Sequence, residues 1–160
     1  MDKQKVLEGI KESGVIGVFR VSRPEDCAKA MDALSEGGLH VLEVTTSTPK
    51  VFELISDARK RYGDNALIGV GTVVDANTCE KAIQSGAQFV VSPSLHKEVL
   101  DVCKKHDIAS CPGTLSPTEM MQAWNWGADL VKVFPIAQVG GPAYVKAVLA
   151  PLPYLRLVPT

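Results

Sequence analysis

The chain is 160 residues long, 46% hydrophobic and 22% charged, with a net charge of −1, ordinary values for one globular domain. The even charge balance, without a basic patch or charge run, argues against a nucleic-acid or polybasic membrane surface, and no apolar run approaches the ~20 residues of a membrane span. Cys27, Cys79, Cys103 and Cys111 form no Cys-x-x-Cys, and His40, His96 and His106 show no ligand spacing. Neither a zinc site nor a disulfide framework is therefore expected, and the thiols read as reduced, as in a cytoplasmic protein.

The charged opening from Met1 to Gly14 reads as a helix with no apolar stretch of signal-peptide type. From there β-rich runs alternate with amphipathic segments. The runs are Val15–Val21, Val41–Thr46, Leu67–Val74, Phe89–Pro93, Ile108–Gly113, Leu130–Pro135 and Leu155–Thr160, and their starts recur roughly every 20–26 residues. Ser22 and Pro24 precede a helical stretch over Glu25–Leu34 with acids in its first turn, and Thr48-Pro49 opens the next, ending near Gly63. Asp75 or Asn77 can cap Thr78–Gln84, Ser116-Pro117-Thr118-Glu119 has the form of a capping box, and Gly141-Pro142 opens a last helix through Leu149. Three segments repeat a pattern of helix-ending glycine, small residue and strand entry: Gly37–Leu42, Gly86–Val91 and Gly127–Lys132.

Alternation at this period predicts an α/β fold with a parallel sheet, either a TIM (β/α)8-type barrel or a doubly wound sheet. Seven strands are present, and the last closes the sequence at Val158-Pro159-Thr160. A full barrel takes ~200 residues or more. The expectation is one domain over residues 1–160, an incomplete barrel lacking the eighth strand and last helices, with an open α/β sheet as the alternative.

In such folds functional groups gather at the C-terminal ends of the strands. Lys132 stands in the apolar run Leu130-Val131-Lys132-Val133-Phe134-Pro135. Desolvation there would favour the neutral amine, a nucleophile able to form a Schiff base with a carbonyl. Glu43, in Val41-Leu42-Glu43-Val44-Thr45, is an acid in an equally apolar strand, suited to general acid/base work or to an ion pair with Lys132. Glu43 follows its repeat glycine by one residue more than Lys132 does, so the repeat alone does not place them face to face. Gly69-Val70-Gly71-Thr72 is a small-residue strand end that lets a ligand approach the backbone, with Thr72 as a hydroxyl donor. Arg20 ends the first strand and could meet an anion, Pro112-Gly113-Thr114 ends the fifth, and Trp124 and Trp126 read as packing residues on a helix.

Taken in order, several stretches resemble the 2-keto-3-deoxy-6-phosphogluconate (KDPG) / 4-hydroxy-2-oxoglutarate (KHG) aldolases, class I aldolases on a TIM barrel. They are Gly38-Leu39-His40-Val41-Leu42-Glu43-Val44-Thr45, Gly69-Val70-Gly71-Thr72-Val73, Gly86-Ala87-Gln88-Phe89-Val90-Val91-Ser92-Pro93, Cys111-Pro112-Gly113-Thr114, Val131-Lys132-Val133-Phe134-Pro135 and Val158-Pro159-Thr160. The resemblance implies that Lys132 is the Schiff-base lysine and Glu43 the proton shuttle. It implies that Thr72 helps hold the pyruvyl carboxylate and that Pro93, Pro112 and Phe134 line the pocket. Thr160 matches the threonine opening a Thr-Gly-Gly turn that, with the loop after strand eight, binds the substrate phosphate. Two departures stand out: Ser47 occupies a position where some relatives carry a carboxylate-binding arginine, for which Arg20 is a candidate substitute, and both glycines after Thr160 are absent.

The activity implied is cleavage of a 2-oxo acid to pyruvate plus glyceraldehyde 3-phosphate or glyoxylate. The iminium takes the part of a Lewis acid, so no cofactor or metal is expected. A homotrimer is implied as well. The competing readings are another phosphate-binding barrel isomerase or epimerase, and a non-catalytic truncated barrel.

Overall fold

Residues 2–160 are described by a computed structural model. Helix α1 (Lys3–Ser13) leads into β1 (Gly17–Phe19), α2 (Pro24–Glu36), β2 (Val41–Thr45), α3 (Val51–Tyr62), β3 (Leu67–Gly71), α4 (Ala76–Gln84) and β4 (Phe89–Val91). Then follow α5 (Lys97–Lys105), β5 (Ala109–Cys111), β6 (Gly113–Thr114), α6 (Pro117–Asn125), β7 (Val131–Val133), a 3-10 turn (Ile136–Val139), α7 (Pro142–Leu149) and β8 (Leu157–Pro159). No helix among the described residues is long and apolar enough to cross a membrane.

Every strand pair is parallel and the staves follow one another in sequence order. The eight strands make seven staves. β5 and β6 are two halves of one, because Pro112 between them has no N–H to give to a ladder. β7 pairs along both halves: Leu130 N–H donates to Ser110 O, Lys132 N–H to Pro112 O and Phe134 N–H to Thr114 O, at 3.0, 2.9 and 2.9 Å. The fifth run expected from sequence is therefore continuous as a stave but split as a strand.

Side-chain alternation sorts the residues into an inner and an outer layer. Leu42, Val44, Ile68, Val70 and Val90 face outward onto Met31, Ile55, Cys79 and Cys103 of helices α2 to α5, and Val131 and Val133 do the same against Met120 and Val148. Val41, Leu67, Phe89, Val91, Ala109 and Cys111 face inward. Their N-terminal end is plugged by α1, which buries Val6, Leu7 and Ile10 among them. Ion pairs from Lys3 to Asp107 and Asp129, at 3.2 and 3.3 Å, tie that plug to the strand entries.

Among the described residues β1 pairs only with β2, and β8 only with β7. The outermost staves meet no neighbour, and Val15 and Val18 consequently stay 58% and 51% exposed. Seven parallel staves in an unclosed barrel is the arrangement that the strand count implied.

The helix signals held unevenly. Asp75 accepts from Thr78 N–H at 2.8 Å, and Ser116 and Glu119 form the full capping box. Of the repeat glycines, Gly86 and Gly127 take positive φ on leaving their helices, but Gly37 does not; in the first repeat the left-handed turn falls one residue later, at Gly38. Thr48-Pro49 does not start α3. That helix begins at Val51 behind Lys50, which is left-handed, while the Thr48 hydroxyl is buried with no partner among the described residues. Helix α5 carried no start signal, and its N-cap, His96, makes no capping bond.

Candidate functional site

Glu43 sits at the centre of β2, between Val41 and Thr45 on the inner face. Strand register carries that face around the barrel: Glu43 pairs with Gly69, Gly69 with Phe89, and Phe89 with Ala109. Gly113, of the same parity further along that stave, pairs with Lys132. Both side chains therefore point inward, Lys132 higher along its stave, as strand stagger in a barrel requires. The one-residue offset in the repeat disappears, because the left-handed helix exit is Gly38 and not Gly37, and Glu43 lies as far beyond Gly38 as Lys132 lies beyond Gly127.

They converge on a cavity of about 810 Å³ between β1 and β8, whose lining includes Val18, Glu43, Val91, Cys111, Lys132 and Thr160. Glu43 is 4% exposed. Burial pushes its carboxyl pKa up, and the Lys132 and Arg20 cations pull against that rise. Among the described residues no ion pair joins Glu43 to Lys132, so the two act on each other across the cavity. Lys132 is half-buried, less enclosed than its apolar run suggests, because its end reaches the open cavity. Its Nζ lies 4.9 Å from the centre of the Phe134 ring.

Glycine makes room for this arrangement. A Cβ on Gly71 would collide with the Glu43 carboxyl, and one on Gly69 with the Phe89 ring. The space that these glycines leave along β3 is thus filled by the protein's own side chains, where the sequence suggested room for a ligand. Gly113 lies so close to the backbone of Pro93 that it too tolerates no side chain.

Of the other expected residues, all but Thr160 stand at the strand ends without lining the cavity. Arg20 is exposed just past β1, yet near enough to act on the Glu43 carboxyl. Thr72 is half-buried just past β3 with φ +63°, and Pro93 is half-buried past β4. Pro112 is buried, and Phe134 is 41% exposed. Thr160 does reach the cavity, and its N–H donates to Val133 O at 3.0 Å. Ser47 is exposed, and its hydroxyl lies 2.9 Å from the Thr45 hydroxyl. Trp124 packs in the outer cluster, 6.0 Å from the Tyr154 ring, and Trp126 packs there too.

Cys111 is a member of the site that the sequence did not single out. Burial, with Glu43 adding and Lys132 opposing, pushes its thiol up to about 12, so it stays neutral. Its position two residues before Gly113, on the parity of the inner face, was the available signal.

Residues 6–160 match the family model described as KDPG and KHG aldolase. The chain belongs to that aldolase family. Among curated members, the 2-dehydro-3-deoxy-phosphogluconate aldolase of Treponema pallidum is 36% identical over 155 residues, 97% of this chain and 73% of that protein. Among solved aldolases, the KDPG aldolase of Legionella pneumophila, with pyruvate captured at low pH as a covalent carbinolamine intermediate, is 34% identical. It superposes with a TM-score of 0.84 over 91% of this chain and 70% of that one. The aldolase of Zymomonas mobilis ATCC 29191 is 29% identical with a TM-score of 0.88 over 100% of this chain and 75% of that one.

Proposed function

We propose that this chain, as a single domain over residues 1–160, is a Schiff-base aldolase. It cleaves KDPG to pyruvate and glyceraldehyde 3-phosphate, or KHG to pyruvate and glyoxylate. The observation that carries the proposal is the convergence of Lys132 and the buried Glu43 on one cavity at the open side of the barrel.

In this mechanism Lys132 gives up a proton, its free amine attacks C2 of the 2-oxo acid and water is lost, leaving an iminium. The Glu43 carboxylate, through a water, takes the proton of the C4 hydroxyl. The C3–C4 bond breaks, its electron pair flows into the iminium to form an enamine, and the aldehyde departs. Glu43 returns its proton to C3, and hydrolysis of the pyruvyl imine frees Lys132. Burial that favours the acid form of Glu43, set against two cations that favour the carboxylate, suits a group that must take a proton and give it back.

Thr72 is assigned to the pyruvyl carboxylate, with Arg20 as an added cation where Ser47 offers none. Pro93, Pro112 and Phe134 form the walls near the reacting carbons, and Thr160 faces the substrate phosphate. A homotrimer in the cytoplasm is the setting that the family resemblance favours. The test is release of pyruvate from KDPG and from KHG, followed by coupled reduction with lactate dehydrogenase. Turnover of at least one, lost in Lys132→Met, is the expected result. Equal turnover in the variant would overturn the assignment.

A further inference from the structure

Thr72 is a β-branched residue held at φ +63°, a conformation that such side chains rarely adopt and that persists only where surrounding structure imposes it. The source of that constraint is Thr46, which follows β2 three residues after Glu43. Thr46 N–H donates to Gly71 O at 2.9 Å, and its hydroxyl donates to Thr72 O at 2.8 Å. On the other side Val73 N–H donates to Val91 O at 3.2 Å. The Thr72 peptide is thus clamped between two neighbouring staves, and Thr46 holds two successive carbonyls of it. The Thr72 hydroxyl makes no hydrogen bond among the described residues, so it is left available to a ligand.

We infer that Thr46 is a positioning residue for the aldolase reaction: its hydroxyl locks the left-handed Thr72 peptide and so aims the Thr72 hydroxyl at the substrate carboxylate. This rests on the assignment of Thr72 proposed above. Linking β2 to the β3 end in this way also fixes the Thr72 turn to the strand that carries Glu43. A loss of the clamp would let Thr72 relax toward negative φ and swing its side chain, weakening carboxylate binding while leaving Lys132 and Glu43 in place. Loss of one such hydrogen bond corresponds to about 3- to 10-fold in affinity.

The experiment measures the rate of borohydride-trapped pyruvyl adduct against pyruvate concentration for wild type, Thr46→Val, Thr46→Ser, Thr72→Ala and the double variant Thr46→Val/Thr72→Ala. Each is checked for folding by circular dichroism, with Thr46→Ala standing in if the valine does not fold. Thr46→Val should raise the half-saturating pyruvate concentration about 3- to 10-fold with the rate at saturation nearly unchanged. Thr46→Ser, which keeps the donor, should restore it, and the double variant should match Thr72→Ala alone. An effect of Thr72→Ala with none of Thr46→Val overturns this inference alone, as do additive effects in the double variant. No effect of Thr72→Ala overturns the Thr72 assignment and the inference with it.

Discussion

Replacing Gly71 by alanine places a methyl group where the Glu43 carboxyl lies, whereas the same change at Gly69 places it against the Phe89 ring. The two positions are neighbours on the inner face of β3, but their consequences separate. The Glu43 carboxyl is the free end of a flexible side chain beside a cavity of about 810 Å³, so it can swing aside at little cost to the fold. Its proton-transfer geometry cannot survive the move. A misplacement of ~1 Å can cost ~100-fold in rate, or ~2.7 kcal/mol in activation free energy. Phe89 is fully enclosed in the inner cluster and has nowhere to go. Overpacking there should cost ~1–3 kcal/mol in stability, at ~2–4 °C of melting temperature per kcal/mol for a chain of this size. The assay is exchange of the pyruvate methyl protons with deuterium by NMR, a partial reaction that under the proposed mechanism draws on both Lys132 and Glu43, paired with thermal melts. Gly71→Ala should lose exchange and keep its melting temperature, and Gly69→Ala the reverse. Wild-type exchange in Gly71→Ala would refute the seating of Glu43 as a requirement of the chemistry.

Burial raises the Glu43 pKa, with Lys132 and Arg20 opposing, so the folded state holds this proton more readily than the unfolded chain does. Stability from this group therefore falls as pH rises from the unfolded value of ~4.3 through the higher folded one. Glu43→Gln should melt above wild type at pH 7, with the gap closing under acid, and a gap that widens as pH falls would contradict the burial argument. Ser116→Ala removes the capping box of α6 and should cost about 1 kcal/mol. An unchanged melting temperature would show that the cap contributes nothing.

The staves were legible because each is an apolar run closed by small or polar residues, and the helix exits because glycines mark them, although the first left-handed turn falls at Gly38 and not at Gly37. Glu43 and Lys132 were legible as charges in apolar strands. Their meeting was not, since it depends on register passed through four intervening strands and on stagger that no local pattern encodes. Helix α5 lacked a capping side chain, and Pro112 left an unbroken apolar run while breaking its ladder. Glycines at 69 and 71 advertised empty space, and only the packing of Phe89 and Glu43 shows who fills it. The clamp from Thr46 to Thr72 joins residues 26 positions apart, a contact invisible to any reading of one strand at a time.

The proposed role of Lys132 as the imine-forming amine is tested most directly by intact mass after incubation with pyruvate and borohydride. A single reduced pyruvyl adduct on the wild-type chain, absent from Lys132→Met, is the predicted result. No adduct on a chain shown to be folded, or one that survives the substitution, would contradict it.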